Sequence, residues 1–497
     1  MPGRRPEGGL ATAPGELPTL AVDHGWGMNQ STKADVLAMD AVELASMIAA
    51  GILSPVDSVA IALERLDAVE PRINAFCHVM REQAMADAER AKVQQASGAT
   101  LPPLFGVPVS VKDLIAVADA PLRFGSRLFA DNCSELDAPA VARLRAAGAI
   151  IIGKTTTSEL GCKAVGDSPL TGFTRSPWDL SKTAGGSSAG AAASVAAGVT
   201  PVALGTDGGG SIRIPAALNG LFGFKAQFGR VPAFPRSATP SLAHVAPISR
   251  SVRDAALMLQ VIAGHDPRDP GALHRAPPDF LGAVAGRRRP LKIAWSPDFG
   301  YAKPEAEVLR VAETALQTFL LWGCEIEQVE LPFGRDPADA WTLQFYVQVA
   351  ARLGAALDER PELLDAAVLT QLRRSSRQTA LEYAQALAEQ RDLQGRLGAL
   401  FERFDVLVSP TLPVASVDVG VDIPPGQDLR NAVTWASYTY PFNLSGNPAA
   451  SIPAGQTIAG HPVGLQIVSR PYAEAELLSL CAAYEAERPW RKLAPFR

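Results

Sequence analysis

The sequence is poor in the residues that usually announce extracellular, metal-binding or nucleic-acid chemistry. Its five cysteines (77, 133, 162, 324 and 481) are odd in number and far apart. That spacing argues against a disulfide scaffold, and no CxxC or Cys/His cluster offers zinc spacing, so no metal and no cofactor is expected. Isolated thiols fit a reducing compartment, and a cytoplasmic location is the expectation. Charge is nearly balanced, 46 basic against 51 acidic residues for a net of −5. Bulk electrostatics therefore favours neither nucleic acid nor an anionic membrane. Long apolar runs are missing too: 36–53 carries Asp40 and Glu43, and the alanine-rich run after Gly190 is interrupted by Gly198 and Pro201. Neither reaches the roughly 18 uninterrupted residues a membrane span needs. The opening residues have arginines but no apolar core, unlike a secretory signal. Residues 1–30 are expected to be a flexible extension, with Met28 a candidate start. Conventional hydrolase machinery is lacking as well. The six histidines are scattered, and neither GxSxG nor HExxH occurs.

What is present is a core. Hydrophobic residues make up 47% and charged residues 20% of 497, the composition of a folded chain and not of a disordered one. Apolar residues at helical spacing predict helices over 36–50, 55–69, 81–97, 138–147, 252–263, 304–321, 362–374 and 378–403. Strand-like runs stand at 107–111, 149–152, 291–295, 325–329, 406–409, 449–452 and 464–468. This alternation predicts one large α/β domain over 31–490, with a mixed, twisted sheet flanked by helices on both sides. The stretch 180–230, rich in glycine, serine and alanine, shows little of either pattern.

One motif misleads. Gly148–Thr155 matches the phosphate-loop spelling GxxxxGK[ST], but a phosphate loop must follow a strand and open a helix. Here a helical pattern precedes Gly148 and three isoleucines fill the spacer, which prefers a buried strand. ATP binding is rejected.

Chemistry gathers elsewhere. Thr183-Ala-Gly-Gly-Ser-Ser-Ala-Gly190 is followed by Gly205-Thr-Asp-Gly-Gly-Gly-Ser-Ile-Arg213, with Ser211 standing 24 residues after Ser187. Consecutive glycines let main-chain N–H groups converge where side chains would block approach. A serine directly after such a run can attack a carbonyl whose developing oxyanion faces those amides. Lys112, set among the strand valines of Val107-Pro-Val-Ser-Val-Lys112, either snorkels at a strand end or is buried and uncharged. Burial in a serine-lined pocket would lower its pKa and make it a base.

These residues resemble the amidase signature family. The resemblance rests on GGSSAGAAASVAAGVTPVALGTDGGGSIRIPAALNGLFGFKAQFGRV at 185–231 and GVPVSVKD at 106–113, within a core motif region of 105–235. Weaker likeness at Ile73-Asn-Ala-Phe76, Pro441-Phe-Asn-Leu-Ser-Gly446 and Gly464-Leu-Gln466 extends it over most of 36–485. The resemblance implies a Ser–cisSer–Lys triad: Ser211 as nucleophile, Ser187 on a cis peptide bond as proton relay, Lys112 as neutral base. It further implies an oxyanion hole from the amides of Gly208, Gly209, Gly210 and Ser211, with Ser188, Asp207 and Arg213 as supports. Three departures stand out: Ala189 where glycine is usual, Gly208 where a larger residue is common, and Ala226-Gln227 in place of Pro-Thr.

The resemblance leaves the substrate open. The expectation is a hydrolase of small or aryl amides, with esters and carbamates as further candidates, working as a monomer or homodimer. The alternative is a glutaminase component of a tRNA-dependent amidotransferase. The Asp-Gly-Val-Arg-Tyr-Gly segment of such glutaminases is not found between 340 and 400, which disfavours it. Gly161 and Cys162 are candidate pocket residues; the aromatics Trp341, Phe345, Tyr346, Trp435, Tyr438 and Tyr440 either line an acyl or leaving-group pocket or pack in the core, and for any one of them core packing is the expectation.

Overall fold

The computed structural model describes residues 30–285, 291–490 and 493–496. The extension expected at 1–30 lies outside the described residues, save Gln30, which opens a helix. Eleven strands form the main sheet: β1 (Phe76–Val79), β2 (Pro108–Lys112), β3 (Ile150–Thr155), β4 (Val202–Asp207), β5 (Phe222–Lys225), β6 (His244–Ser249), β7 (Lys292–Trp295), β8 (Glu325–Gln328), β9 (Val406–Pro410), β10 (Ala449–Gln456) and β11 (Pro462–Ser469). They lie side by side in the order β1-β3-β2-β4-β6-β5-β10-β11-β9-β7-β8. The sheet is mixed, as expected. Strands β3, β2 and β4 run parallel, as do β9, β7 and β8, and the strands between them are antiparallel.

Side-chain alternation assigns the two faces. Val202, Leu204, Ile293, Trp295, Val406 and Val408 join one apolar cluster, together with the helices Val252–Ile262 and Ala306–Leu321. Their neighbours Ala203, Ala294 and Leu407 point the other way. There the sheet is covered by the helix Ala189–Ala196 at one end and by Ala338–Leu353 and Ala380–Phe401 at the other. With both faces covered, central strands read as continuous apolar runs.

Two expectations need correction. The pattern at 36–50 is not one helix but two, Gln30–Ala38 and Ala41–Ala49. Asp40 breaks it by capping: its carboxylate accepts from Glu43 N–H at 2.9 Å, and Glu43 returns the bond to Asp40 N–H at 3.0 Å. The stretch 180–230, with little pattern in sequence, nonetheless holds regular elements: the helix Ala189–Ala196, β4, the short helix Arg213–Leu218 and β5. All eight residues of Ala189–Ala196 are buried. A helix with no solvated face shows no amphipathic period, which is why the pattern is silent.

The phosphate-loop spelling lies where its rejection puts it, with Ile150–Thr155 forming the buried strand β3. Lys154 donates to Asp113 Oδ1 at 2.9 Å and to the Pro121 carbonyl at 2.7 Å.

The C-terminal helix Glu474–Glu487 is fastened by a fully buried ion pair, Arg230 Nε to Glu474 Oε1 at 2.7 Å. Removing one partner of such a pair strands a charge in low dielectric and typically costs about 3–5 kcal/mol, while replacing both by apolar groups is often neutral. Arg230→Leu is expected to lose about that much in urea unfolding, and Arg230→Leu with Glu474→Leu to recover most of it. Equal losses in the two proteins would show that the pair is not what fastens this helix.

Candidate active site

The site forms where β2 and β4 end. These strands are parallel neighbours, with Val111 opposite Leu204, so their carboxyl ends open on one crevice, the position at which open α/β sheets bind ligands. Lys112 is the last residue of β2. Ser187 and Ser188 precede the helix Ala189–Ala196, and the Gly186–Ser187 peptide is cis. Ser211 lies in the turn between β4 and the helix Arg213–Leu218.

Lys112 is wholly buried, and its amine touches three hydroxyls: Ser187 Oγ at 2.6 Å, Thr206 Oγ1 at 2.9 Å and Ser188 Oγ at 3.0 Å. No carboxylate is among these partners. Burial therefore pushes its pKa well below 10.5, opposed only by the more distant charge of Asp207. Hydroxyls can donate as well as accept, so they suit an uncharged amine that needs a proton on its lone pair. Ser188 is held in this network by a second bond, to the Thr206 carbonyl at 3.1 Å. Thr206 was not foreseen, because the strand that carries it was not legible.

Ser187 and Ser211 both line the same cleft. Ser211 is 9% exposed, and among the described residues its Oγ has no hydrogen-bond partner. The Lys112–Ser187 contact is thus formed, while the Ser211 hydroxyl stands free toward the cleft.

The loop 207–211 is fixed from behind. Arg213 grips Asp207 through two bonds, Nε to Oδ2 at 3.0 Å and Nη2 to Oδ1 at 2.9 Å, and also donates to the Thr439 carbonyl, Gln466 and Asn443. Burial would raise the Asp207 carboxyl, but this guanidinium holds it below the usual range. Asp207 Oδ1 in turn takes the Gly210 N–H at 2.7 Å. Gly210 is therefore removed from the expected oxyanion donors, and the amides of Gly208, Gly209 and Ser211 remain. Each of these three belongs to a peptide unit whose carbonyl is already bonded. Asp207 O accepts from Asn443 Nδ2 at 3.0 Å and lies 3.1 Å from His244 Nδ1; Gly208 O accepts from Trp341 Nε1 at 2.9 Å; Gly210 O accepts from Ile214 N–H at 2.7 Å. A bonded carbonyl orients its peptide and strengthens the N–H on the other side. His244 was unforeseen. Burial, aided by neighbouring Lys225, lowers its pKa to about 3 and keeps it neutral. Its Nδ1 faces carbonyls and so carries the proton, while Nε2 faces Lys225 Nζ at 3.3 Å.

Close packing explains the glycines here. A Cβ on Gly209 would stand 2.5 Å from the Trp341 ring, and Gly210 combines φ +126° with Thr439 Oγ1 2.2 Å from where its Cβ would be.

The cleft has a volume of about 140 Å³ and mostly apolar walls. Phe124, Phe129, Phe234 and Phe345 line it. Of the aromatics singled out in sequence, only Phe345 does so. Trp341 and Tyr346 are buried against Phe345, and Trp435, Tyr438 and Tyr440 are buried in the core without lining the cleft. Gly161 lines the cleft, with Ser187 Oγ 3.3 Å from where a Cβ on it would lie. Cys162 does not line it: the side chain is buried, and its carbonyl accepts from Tyr346 Oη at 2.8 Å. The wall formed by 232–245 was missed. Its sequence signal is the proline cluster Pro232, Pro235 and Pro240, which marks a loop without saying what the loop faces.

Two departures find structural partners. The Ala189 methyl packs where Gly166 lacks a side chain, since a Cβ there would stand 2.6 Å from it. The space beside Gly208 is taken by Phe345, whose ring is 3.1 Å from where a Cβ would lie. The missing side chain thus admits an aromatic wall and does not widen the cleft. Nothing in the structure explains Ala226.

Comparison with known proteins covers most of the chain. The family model described as Amidase matches residues 57–478. An acylamidase of Rhodococcus erythropolis is 38% identical over 471 residues, covering 93% of this chain and 98% of the relative. The A component of the glutamyl-tRNA(Gln) amidotransferase of Chloroflexus aggregans is 33% identical, over 90% and 96% of the two chains. The crystal structure of a bacterial aryl acylamidase of the amidase signature enzymes superposes with a TM-score of 0.87 at 29% identity, covering 92% and 97%. The span matched by the family model includes the lysine, the paired serines and the glycine turn, and on that match the chain belongs to the amidase family.

Proposed function

We propose that this chain is an acylamidase that cleaves the C–N bond of small or aryl carboxamides through an acyl-enzyme on Ser211. The observation that carries the proposal is Lys112, an amine buried without a counter-ion among three hydroxyls. Ser211 Oγ attacks the carbonyl carbon; its proton passes to Ser187 Oγ as Ser187 gives its own to the Lys112 lone pair. Charge developing on the carbonyl oxygen meets the N–H groups of Gly208, Gly209 and Ser211, where one donor is typically worth about 10²–10³ in rate. Collapse of the tetrahedral intermediate breaks the C–N bond, and the amine leaves with the proton returned from Lys112 through Ser187. Water then repeats the sequence on the acyl ester, releasing the acid and freeing Ser211. Esters and carbamates offer the same carbonyl and belong to the candidate substrates.

A glutaminase role is the second reading, favoured by the amidotransferase components found as relatives. The cleft opposes it, since none of its lining residues is acidic and the α-ammonium of glutamine would lack a partner.

Ser211→Ala is expected to cut anilide hydrolysis by more than about 10³-fold with an unchanged circular dichroism spectrum; substantial turnover by that folded variant would refute the acyl-enzyme. The rate should rise with pH as Lys112 loses its proton, because only the uncharged amine can accept one, and this limb should lie below the pKa of a free lysine. Lys112→Ala is expected to abolish that limb and to lower amide turnover by about 10²–10⁴. Ester turnover should fall less, since an alkoxide leaves without needing the returned proton. Equal losses for matched amide and ester would contradict the role given to Lys112.

A further inference from the structure

Resting on the hydrolase reading above, we propose that the preferred substrate carries a carboxylate on the end remote from the scissile amide, held at the cleft mouth by Arg352 and Arg236. Both arginines line the cleft and are exposed, whereas Ser187 and Ser211 lie at its buried floor. No aspartate or glutamate lines the cleft. Among the described residues neither guanidinium is in an ion pair. In a chain with net charge −5, two unpaired cations facing an apolar cleft form a local positive field of the kind that selects anionic ligands.

The fold positions one of them. Arg352 Nη1 donates to the Arg236 carbonyl at 3.1 Å, and its guanidinium lies 5.9 Å from the Phe124 ring centroid, a wall of the same cleft. The rest of the fork is left to a ligand, and a guanidinium fork matches a carboxylate at two points.

The helix Ala338–Leu353 supplies a ruler. Phe345, against Gly208 at the floor, and Arg352 are seven residues apart on it and both line the cleft. Seven residues are two turns on one face and rise about 10 Å. An aromatic ring or a short alkyl chain would separate the amide at the floor from an anion at the mouth, and the four phenylalanines suit such a spacer. A last-turn arginine also complements the helix dipole, but Arg236 belongs to no helix, so that role does not account for both.

The test compares two N-aryl amides of equal size, one with a carboxylate on the far ring position and one with a neutral carboxamide there. Titration calorimetry on the Ser211→Ala protein is expected to show at least tenfold tighter binding of the anion, weakening as salt is raised. The ratio should collapse toward one in Ser211→Ala with Arg352→Gln and Arg236→Gln, and recover in part with Arg352→Lys. With Ser211 intact, kcat/KM should show the same preference, chiefly through KM. Equal affinity for the two compounds, or a preference that survives loss of both arginines, overturns the proposal. A binding preference without turnover of either compound would instead fault the hydrolase assignment and leave the anion site standing.

Discussion

The site depends on one constraint: an amine buried with no carboxylate in contact. A charged ammonium at Lys112 would carry a large desolvation cost, with hydroxyl dipoles and the more distant charge of Asp207 too little to offset it, so the uncharged form is favoured. Lys154 on the adjacent strand provides the contrast. It is equally buried but donates to Asp113 at 2.9 Å, forming an ion pair. Two lysines one strand apart thus have opposite electrostatic settings, and only the one facing serines suits proton transfer.

The glycine turn has its own requirement, which is rigidity without side chains. Asp207 and Arg213 supply the hub, and donors from β6, the helix Ala338–Leu353 and the segment around Asn443 reach the carbonyls from the far side. Residues as far as 236 positions away along the chain thereby hold a five-residue loop. Preorganised donors need no reorientation as charge develops, which is what the proposed reaction asks of these amides. The Gly210 amide marks the limit of this arrangement, because it is consumed in holding the loop.

The cleft joins three chemically different surfaces. Its floor is polar and buried, its walls are phenylalanines, and its exposed rim carries arginines. The omission of a side chain at Gly208 belongs to the same design, for it brings the Phe345 ring against the oxyanion loop.

The candidate site was legible in the chain itself, because Ser187, Ser211 and Lys112 stand in short segments whose glycines and valines already restrict the backbone. The outer helices were legible because a solvated face imposes a period, and β2, β3 and β9 because their buried runs are rich in valine and isoleucine or leucine. The inner elements, Ala189–Ala196 and β4, were not, because burial on every side erases the period and their alanines and glycines form no such run. Thr206 vanished with its strand, and His244 gave no sign of facing a turn 37 residues earlier. Which aromatics line the cleft was likewise undecided by sequence: Trp341 and Phe345 are one turn apart on a helix, yet one backs a carbonyl and the other faces the cleft. Local backbone chemistry is written in adjacent residues, whereas the lining of a cavity depends on how distant elements pack, and only the tertiary structure decides that.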